Sequence, residues 1–187
     1  ESGVRDALLI VQRDTHKDKD LKSFVKRMYS GGSPNSLVVL FDGITDPHNV
    51  GAILRSCDLF SADLAVIPAR RNAQVNETVR RVSSGASFYV PVVVETNIRR
   101  AVAELKEAGY WAFAADVSGE APWEVDLTGR IALVLGAEDK GVRRIVKEEC
   151  DGTIAIPTSG HIDSLNVSVA AGILMYEYAR RTATDLS

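Results

Sequence analysis

Six short apolar runs punctuate the chain from residue 37 onward, and none of them alternates cleanly with polar residues. They are Leu37–Phe41, Leu64–Ile67, Val90–Val94, Trp111–Ala115, Ile131–Leu135 and Thr153–Ile156. A strand that alternates has one face in water, whereas a strand that does not is buried on both, as in a parallel sheet covered by helices. Between the runs the sequence reads as helix near Val50–Phe60, Glu77–Ser84, Ile98–Ala108, Val142–Glu149 and Leu165–Arg180. Strands alternating with helices predict an α/β fold, a mainly parallel sheet with helices on both faces, and they put ligands outside the carboxyl ends of the strands. The first 36 residues differ: an apolar patch (Ala7 to Val11), a lysine-rich stretch, a helix from Asp20 to Tyr29, then the breaker Gly31-Gly32-Ser33-Pro34-Asn35. The expected organisation is an N-terminal appendage or linker remnant over 1–36 and one domain over 37–187.

Bulk properties narrow the class of function. A chain of 187 residues, 45% hydrophobic, buries enough surface to fold without disulfides or metal. Cys57 and Cys150 form no close-set pair and the three histidines lack ligand spacing, so no metal site is expected and a reducing compartment is the simpler reading. No apolar run approaches the roughly 18 residues of a membrane span, and the N-terminus lacks a charged-then-apolar signal. The expectation is a cytoplasmic protein with no membrane partner. A net charge of −3 gives no overall positive field to attract nucleic acid, so RNA binding would have to be local. Candidates are Arg55, the pairs Arg70-Arg71 and Arg80-Arg81, and the cluster Lys17, Lys19, Lys22, Lys26 and Arg27, each of which also fits a solvated face.

Three strand ends carry the chemistry. After the first run comes Asp42-Gly43-Ile44-Thr45-Asp46-Pro47-His48-Asn49, then a helix whose apolar face is Val50, Ile53, Leu54 and Cys57. Gly51 and Arg55 share another face, where the glycine would leave an open approach to the guanidinium. Arg55 then suits a phosphate, or pairs with Asp58 on the surface. After the fifth run, Gly136-Ala137-Glu138-Asp139-Lys140-Gly141 brackets four residues between glycines, so the backbone can turn tightly and approach a ligand. It is neither a Walker loop nor G-x-G-x-x-G. After the sixth run, Pro157 stops the strand, Gly160 loosens the loop, and His161 is either a base or merely solvated. The last helix opens with Ser164, Asn166 and Ser168, more capping groups than one helix needs. Two of its stripes are apolar, Val169-Gly172-Ile173-Tyr176 and Val167-Ala171-Leu174-Tyr178, so it is either the central helix of a monomer or covered by a partner subunit.

In register, the three segments resemble motifs 1 to 3 of the SpoU (TrmH-type) branch of the SPOUT RNA 2′-O-ribose methyltransferases. Asp46 to Arg55 meets Asp-Pro-x-Asn-x-Gly-x-x-x-Arg, Leu133 to Gly141 meets an apolar strand followed by Gly-x-Glu-x-x-Gly, and Ile156 to Ala170 meets Ile-Pro-x-x-Gly followed by Ser-Leu-Asn-Val-Ser-Val-Ala. The resemblance covers about Leu37 to Arg180. The wording of Asp42 to Asn49, Gln74 to Asn76 and Ala132 to Glu138 is closest to the RlmB type, which acts on a guanosine of large-subunit (23S) ribosomal RNA. It departs at Asp139, commonly glycine, and at Thr158, frequently methionine. RlmB-type proteins also carry a small RNA-binding domain, for which the first 36 residues are too few.

The resemblance implies a C-terminal deep trefoil knot, S-adenosylmethionine held in the knot loops, an obligate homodimer and no metal. It places Asn49, Arg55, Glu138, Ser164 and Asn166 at active-site positions. Gly136, Ala137, Gly141, Ile156 and Leu165 would hold the methyl donor, and Arg55, Arg70 and Arg71 would meet RNA. The implied reaction is transfer of the methyl group to a ribose 2′-hydroxyl of ribosomal RNA. A tRNA methyltransferase of the same family, or a scaffold that has lost catalysis, are the alternatives.

Overall fold

Strands buried on both faces need helices on both, and the apolar runs meet that demand by lying side by side in one sheet. The computed structural model describes residues 18–69, 77–83, 86, 89–161 and 164–182. The strands are β1 (Ser36–Asp42), β2 (Leu64–Pro68), β3 (Val92–Glu95), β4 (Trp111–Glu120), β5 (Arg130–Gly136) and β6 (Gly152–Ile154). The helices are α1 (Leu21–Tyr29), α2 (Pro47–Leu59), α3 (Glu77–Val82), α4 (Ile98–Glu107), α5 (Arg144–Lys147) and α6 (Val167–Thr182). The strand order is β3-β2-β1-β5-β4-β6 and every pairing is parallel.

Alternate residues of β1 serve opposite faces, because successive side chains of a strand point to opposite sides. Leu37, Val39 and Phe41 join a core with Val50, Ile53, Leu54 and Cys57 of α2 and with Val167, Ala171, Leu174 and Met175 of α6. Val38 and Leu40 join a second core with Leu21, Phe24 and Met28 of α1 and the buried side of α4. The Arg130 guanidinium ties those two helices together, donating to Met28 O and Ala108 O, each at 3.1 Å.

Several boundaries shift from the sequence expectation, each for a local reason. Helix α2 starts at Pro47 rather than Val50, since Asp46 caps it by accepting the His48 N–H at 3.0 Å and proline at the first helical position has no N–H to satisfy. Strand β3 starts at Val92 rather than Val90, because Pro91 offers β2 only its carbonyl, to Ala65 N–H at 2.9 Å. Strand β6 ends at Ile154, short of Ile156, while β4 runs on to Glu120 with an irregular register beyond Ala115. The helix expected over Val142–Glu149 shrinks to the single turn of α5, because Arg143 is held by a bond to β1 instead.

The reading of Gly51 is corrected. A Cβ there would lie 2.8 Å from Val82 Cβ and 3.1 Å from Val79 O, so the glycine lets α3 press against α2 rather than opening a path to Arg55. Arg70, Arg71, Lys17, Ala7 to Val11 and Gln74 to Asn76 lie outside the described residues. Among the described residues no helix is long and apolar enough to cross a membrane.

Candidate functional site

The winding of the chain reverses between β1 and β5, and a doubly wound sheet opens its ligand crevice at such a point. Asp42 and Gly136 are register partners there, each the last residue of its strand. The loop after β1 turns through Gly43, at φ +80°, and enters α2, whose first turn carries Asn49, nearly buried.

The loop after β5 closes on itself. Gly141 N–H donates to Ala137 O at 2.7 Å, and Gly141 takes the left-handed φ of +61° that favours glycine. The two limbs touch at Gly136: a Cβ there would sit 2.0 Å from Gly141 C and 2.1 Å from Val142 N. Glu138 projects from this turn into solvent.

The third segment brings the other two together through one side chain. Asn166 caps α6, its Oδ1 accepting from Ser168 N–H at 3.0 Å, Ser168 Oγ at 2.5 Å and Val169 N–H at 3.3 Å. Its Nδ2 donates to Asn49 Oδ1 at 3.0 Å and to Glu138 Oε1. Of the three capping candidates Asn166 does the capping, Ser168 supports it, and α6 therefore starts at Val167 rather than Leu165. Asn49, Glu138 and Asn166 thus meet from three loops. Arg55 and Ser164 are exposed and stand outside this bonded set, Arg55 farther along α2 and Ser164 two residues before the cap. Leu165 is 36% exposed, an apolar side chain at the water boundary, while Ile156 packs partly buried against the first core.

Two ion pairs brace the segment after the second loop, and sequence reasoning missed both. Asp42, only 1% exposed, accepts the Arg143 backbone N–H at 2.8 Å and its guanidinium at 2.7 and 2.6 Å. An acid ending an apolar strand is the signal that was available, since a buried carboxylate demands a partner. On the other side, Lys147 pairs with Asp116 of β4. Burial raises the Asp116 carboxyl, but hydrogen bonds from Lys147 and Ser118 outweigh it and hold it at about 2, so this pair stays ionised near neutral pH.

The outward stripe of α6 is also resolved. Val167, Ala171, Leu174 and Tyr178 are buried, while Val169, Ile173 and Tyr176 are 49, 40 and 53% exposed. Phe60, which follows α2, meets Tyr176 edge-on at 6.0 Å, and Leu59 is also exposed.

Comparison with known proteins shows the family of the chain. A family model described as the SpoU rRNA Methylase family matches residues 36–176. A Xanthomonas campestris protein named 23S rRNA (guanosine-2'-O-)-methyltransferase RlmB is 45% identical over 147 residues, 78% of this chain and 59% of that one. A Borreliella burgdorferi protein named an uncharacterized tRNA/rRNA methyltransferase is 47% identical over 148 residues, 79% of this chain and 65% of that one. The crystal structure of the SpoU methyltransferase AviRb from Streptomyces viridochromogenes, in complex with the cofactor AdoMet, matches with a TM-score of 0.73 at 30% identity, covering 81% of this chain and 59% of that one. The chain spans about three fifths of the length of the curated relatives it matches.

Proposed function

The chain belongs to the SpoU rRNA methylase family, and from that premise we propose that it transfers a methyl group from S-adenosylmethionine to a ribose 2′-hydroxyl of RNA, with a guanosine of 23S ribosomal RNA as the target. The observation that carries the reading is Asn166, which bonds Asn49 and Glu138 across three loops at the switch point of the sheet. In this reading residues 37–187 are the methyltransferase domain, and α1 of the stretch before it contributes Leu21, Phe24 and Met28 to the second core. The deep trefoil knot is part of the same reading.

The residues present fit the donor. Backbone groups around Gly136, Ala137 and Gly141 can hydrogen-bond an adenosine, Ile156 and Leu165 offer apolar contact, and the Glu138 carboxylate suits a nearby sulfonium cation. When bound, that group supplies an electrophilic methyl; the protein's own work is to hold the ribose oxygen in line with it, which can supply much of the rate. As the ribose oxygen takes the methyl, the methyl–sulfur bond would break and S-adenosylhomocysteine would leave; Arg55 binds the phosphate beside the target ribose, and its charge favours release of the 2′-hydroxyl proton to solvent water. Asn49, Ser164 and Asn166 orient that hydroxyl or tie the loops, and Glu138 accepts from Asn166. No step calls for a metal.

Calorimetry is expected to detect S-adenosylmethionine binding to the chain, and tritiated donor to label 23S rRNA. Labelling of tRNA instead would move the target, and binding without labelling of either would leave a scaffold. Arg55→Ala is expected to lower methyl transfer about a hundredfold with donor Kd within a few-fold, as for loss of one charge-stabilising donor. Loss of donor binding in that variant would put Arg55 on the wrong ligand.

The active form is a homodimer, a reading supported by the family resemblance and by the exposed apolar stripe of Val169, Ile173 and Tyr176 on α6. Ile173→Asp is expected to turn a dimer into a monomer in sedimentation equilibrium. A monomeric wild type would refute the dimer.

A further inference from the structure

We propose that Asp42 is a positioning residue for the donor loop 136–142, acting through Arg143 as a latch. The proposal rests on the reading of that loop as the methyl-donor site. Asp42 lies in register beside Gly136, where the loop begins, and accepts the backbone N–H of Arg143, just past its end. Strand pairing therefore holds the first end of the loop at the tip of β1, and the Asp42 carboxylate holds the second. The guanidinium supplies two further contacts at 2.7 and 2.6 Å and balances the charge of a side chain with no water around it.

Ordinary core packing does not account for the pair. The Arg143 side chain is 47% exposed, so it fills no core, and α5 has its own anchor in the Lys147 pair with Asp116. Val142 is buried in the second core beneath the loop. Breaking the latch thus removes the tie at the far end of the loop, while Val142 and the elements on either side keep their supports. A loop that must be reordered on binding lowers donor affinity, because the ordering comes out of the binding free energy. Neither Asp42 nor Arg143 is among the residues proposed to meet RNA, so RNA affinity is expected to stay as it was.

The test compares wild type with Asp42→Asn, Arg143→Met and the double variant, using S-adenosylmethionine in calorimetry and 23S rRNA in steady-state methyl transfer. Asparagine keeps an acceptor for the N–H but turns an amide toward the guanidinium. Each single variant is expected to weaken donor binding about tenfold, as for loss of a charged hydrogen bond, with KM for RNA within about twofold. The double variant is expected to be no weaker than the worse single one, since both remove the same contact. A pair that mattered only to stability would lower the melting temperature and leave donor Kd alone. Should Asp42→Asn fail to fold, Arg143→Lys keeps the charge and loses the fork, and is expected to weaken donor binding at least threefold. Unchanged donor Kd in the Arg143 variants, with a wild type that binds, overturns the latch alone. No donor binding by the wild type overturns the donor reading and the latch with it.

Discussion

Gly136→Ala is expected to abolish donor binding and to cost the fold more than the same change at any other described glycine. The added carbon would fall 2.0 Å from Gly141 C, 2.1 Å from Val142 N and 2.3 Å from Gly141 O, all of them backbone atoms that no rotamer change can move. The returning limb must shift by more than an ångström. That breaks the Ala137 to Gly141 bond and pulls Arg143 away from Asp42. Overpacking typically costs 1–3 kcal/mol, and here lost hydrogen bonds add to it, so about 3 kcal/mol and a melting point lower by about 10 °C are expected. Donor affinity should fall by more than about a thousandfold, since the displaced limb is the one proposed to bind it. Gly160→Ala is the stability control: an added Cβ there meets nothing within 4 Å, and its melting point should match wild type. A folded Gly136→Ala protein with wild-type donor affinity would remove loop 136–142 from the donor site.

The sheet was legible because two-sided burial writes itself as runs without polar alternation, and β1, β2 and β5 are buried along almost their whole length. Strand order and the reversal between β1 and β5 left no trace in those runs, since every strand looks equally buried. Gly51 shows the limit of reading one helix by itself. Spacing placed it on the face of Arg55, but what decided its role was Val82 on α3, invisible to periodicity. The two apolar stripes of α6 were legible as stripes, and only packing tells that Val167, Ala171, Leu174 and Tyr178 face inward. Asp42 escaped notice because a single acid beside a glycine reads as a turn, and its partner lies 101 residues away. Asn166 was visible as a surplus cap, yet its bonds to Glu138 and Asn49 span 28 and 117 residues.

Because Asn166 both caps α6 and bridges the loops, substitutions that separate the two duties give the sharpest test of the site. Asn166→Ala loses both. Cap removal costs about 1 kcal/mol, and Asn49 Oδ1, nearly buried, loses its donor, which adds about 1–3 kcal/mol. Asn166→Asp keeps the acceptor that α6 needs, and a carboxylate at a helix N-terminus is favoured by the helix dipole. It has no N–H to give, however, and it sets a second carboxylate against Glu138. The two acids then repel and Glu138 swings away; a shared proton would restore at most one of the two bonds, so the three-loop bridge is gone. Asn166→Asp is therefore expected to melt above Asn166→Ala, because the cap is kept, while methyl transfer falls about a thousandfold. If capping were the whole role of Asn166, the aspartate variant would be as active as wild type. A rate for Asn166→Asp within tenfold of wild type, in a protein whose S-adenosylmethionine binding is intact, would show that the chemistry does not run through the junction of the three loops.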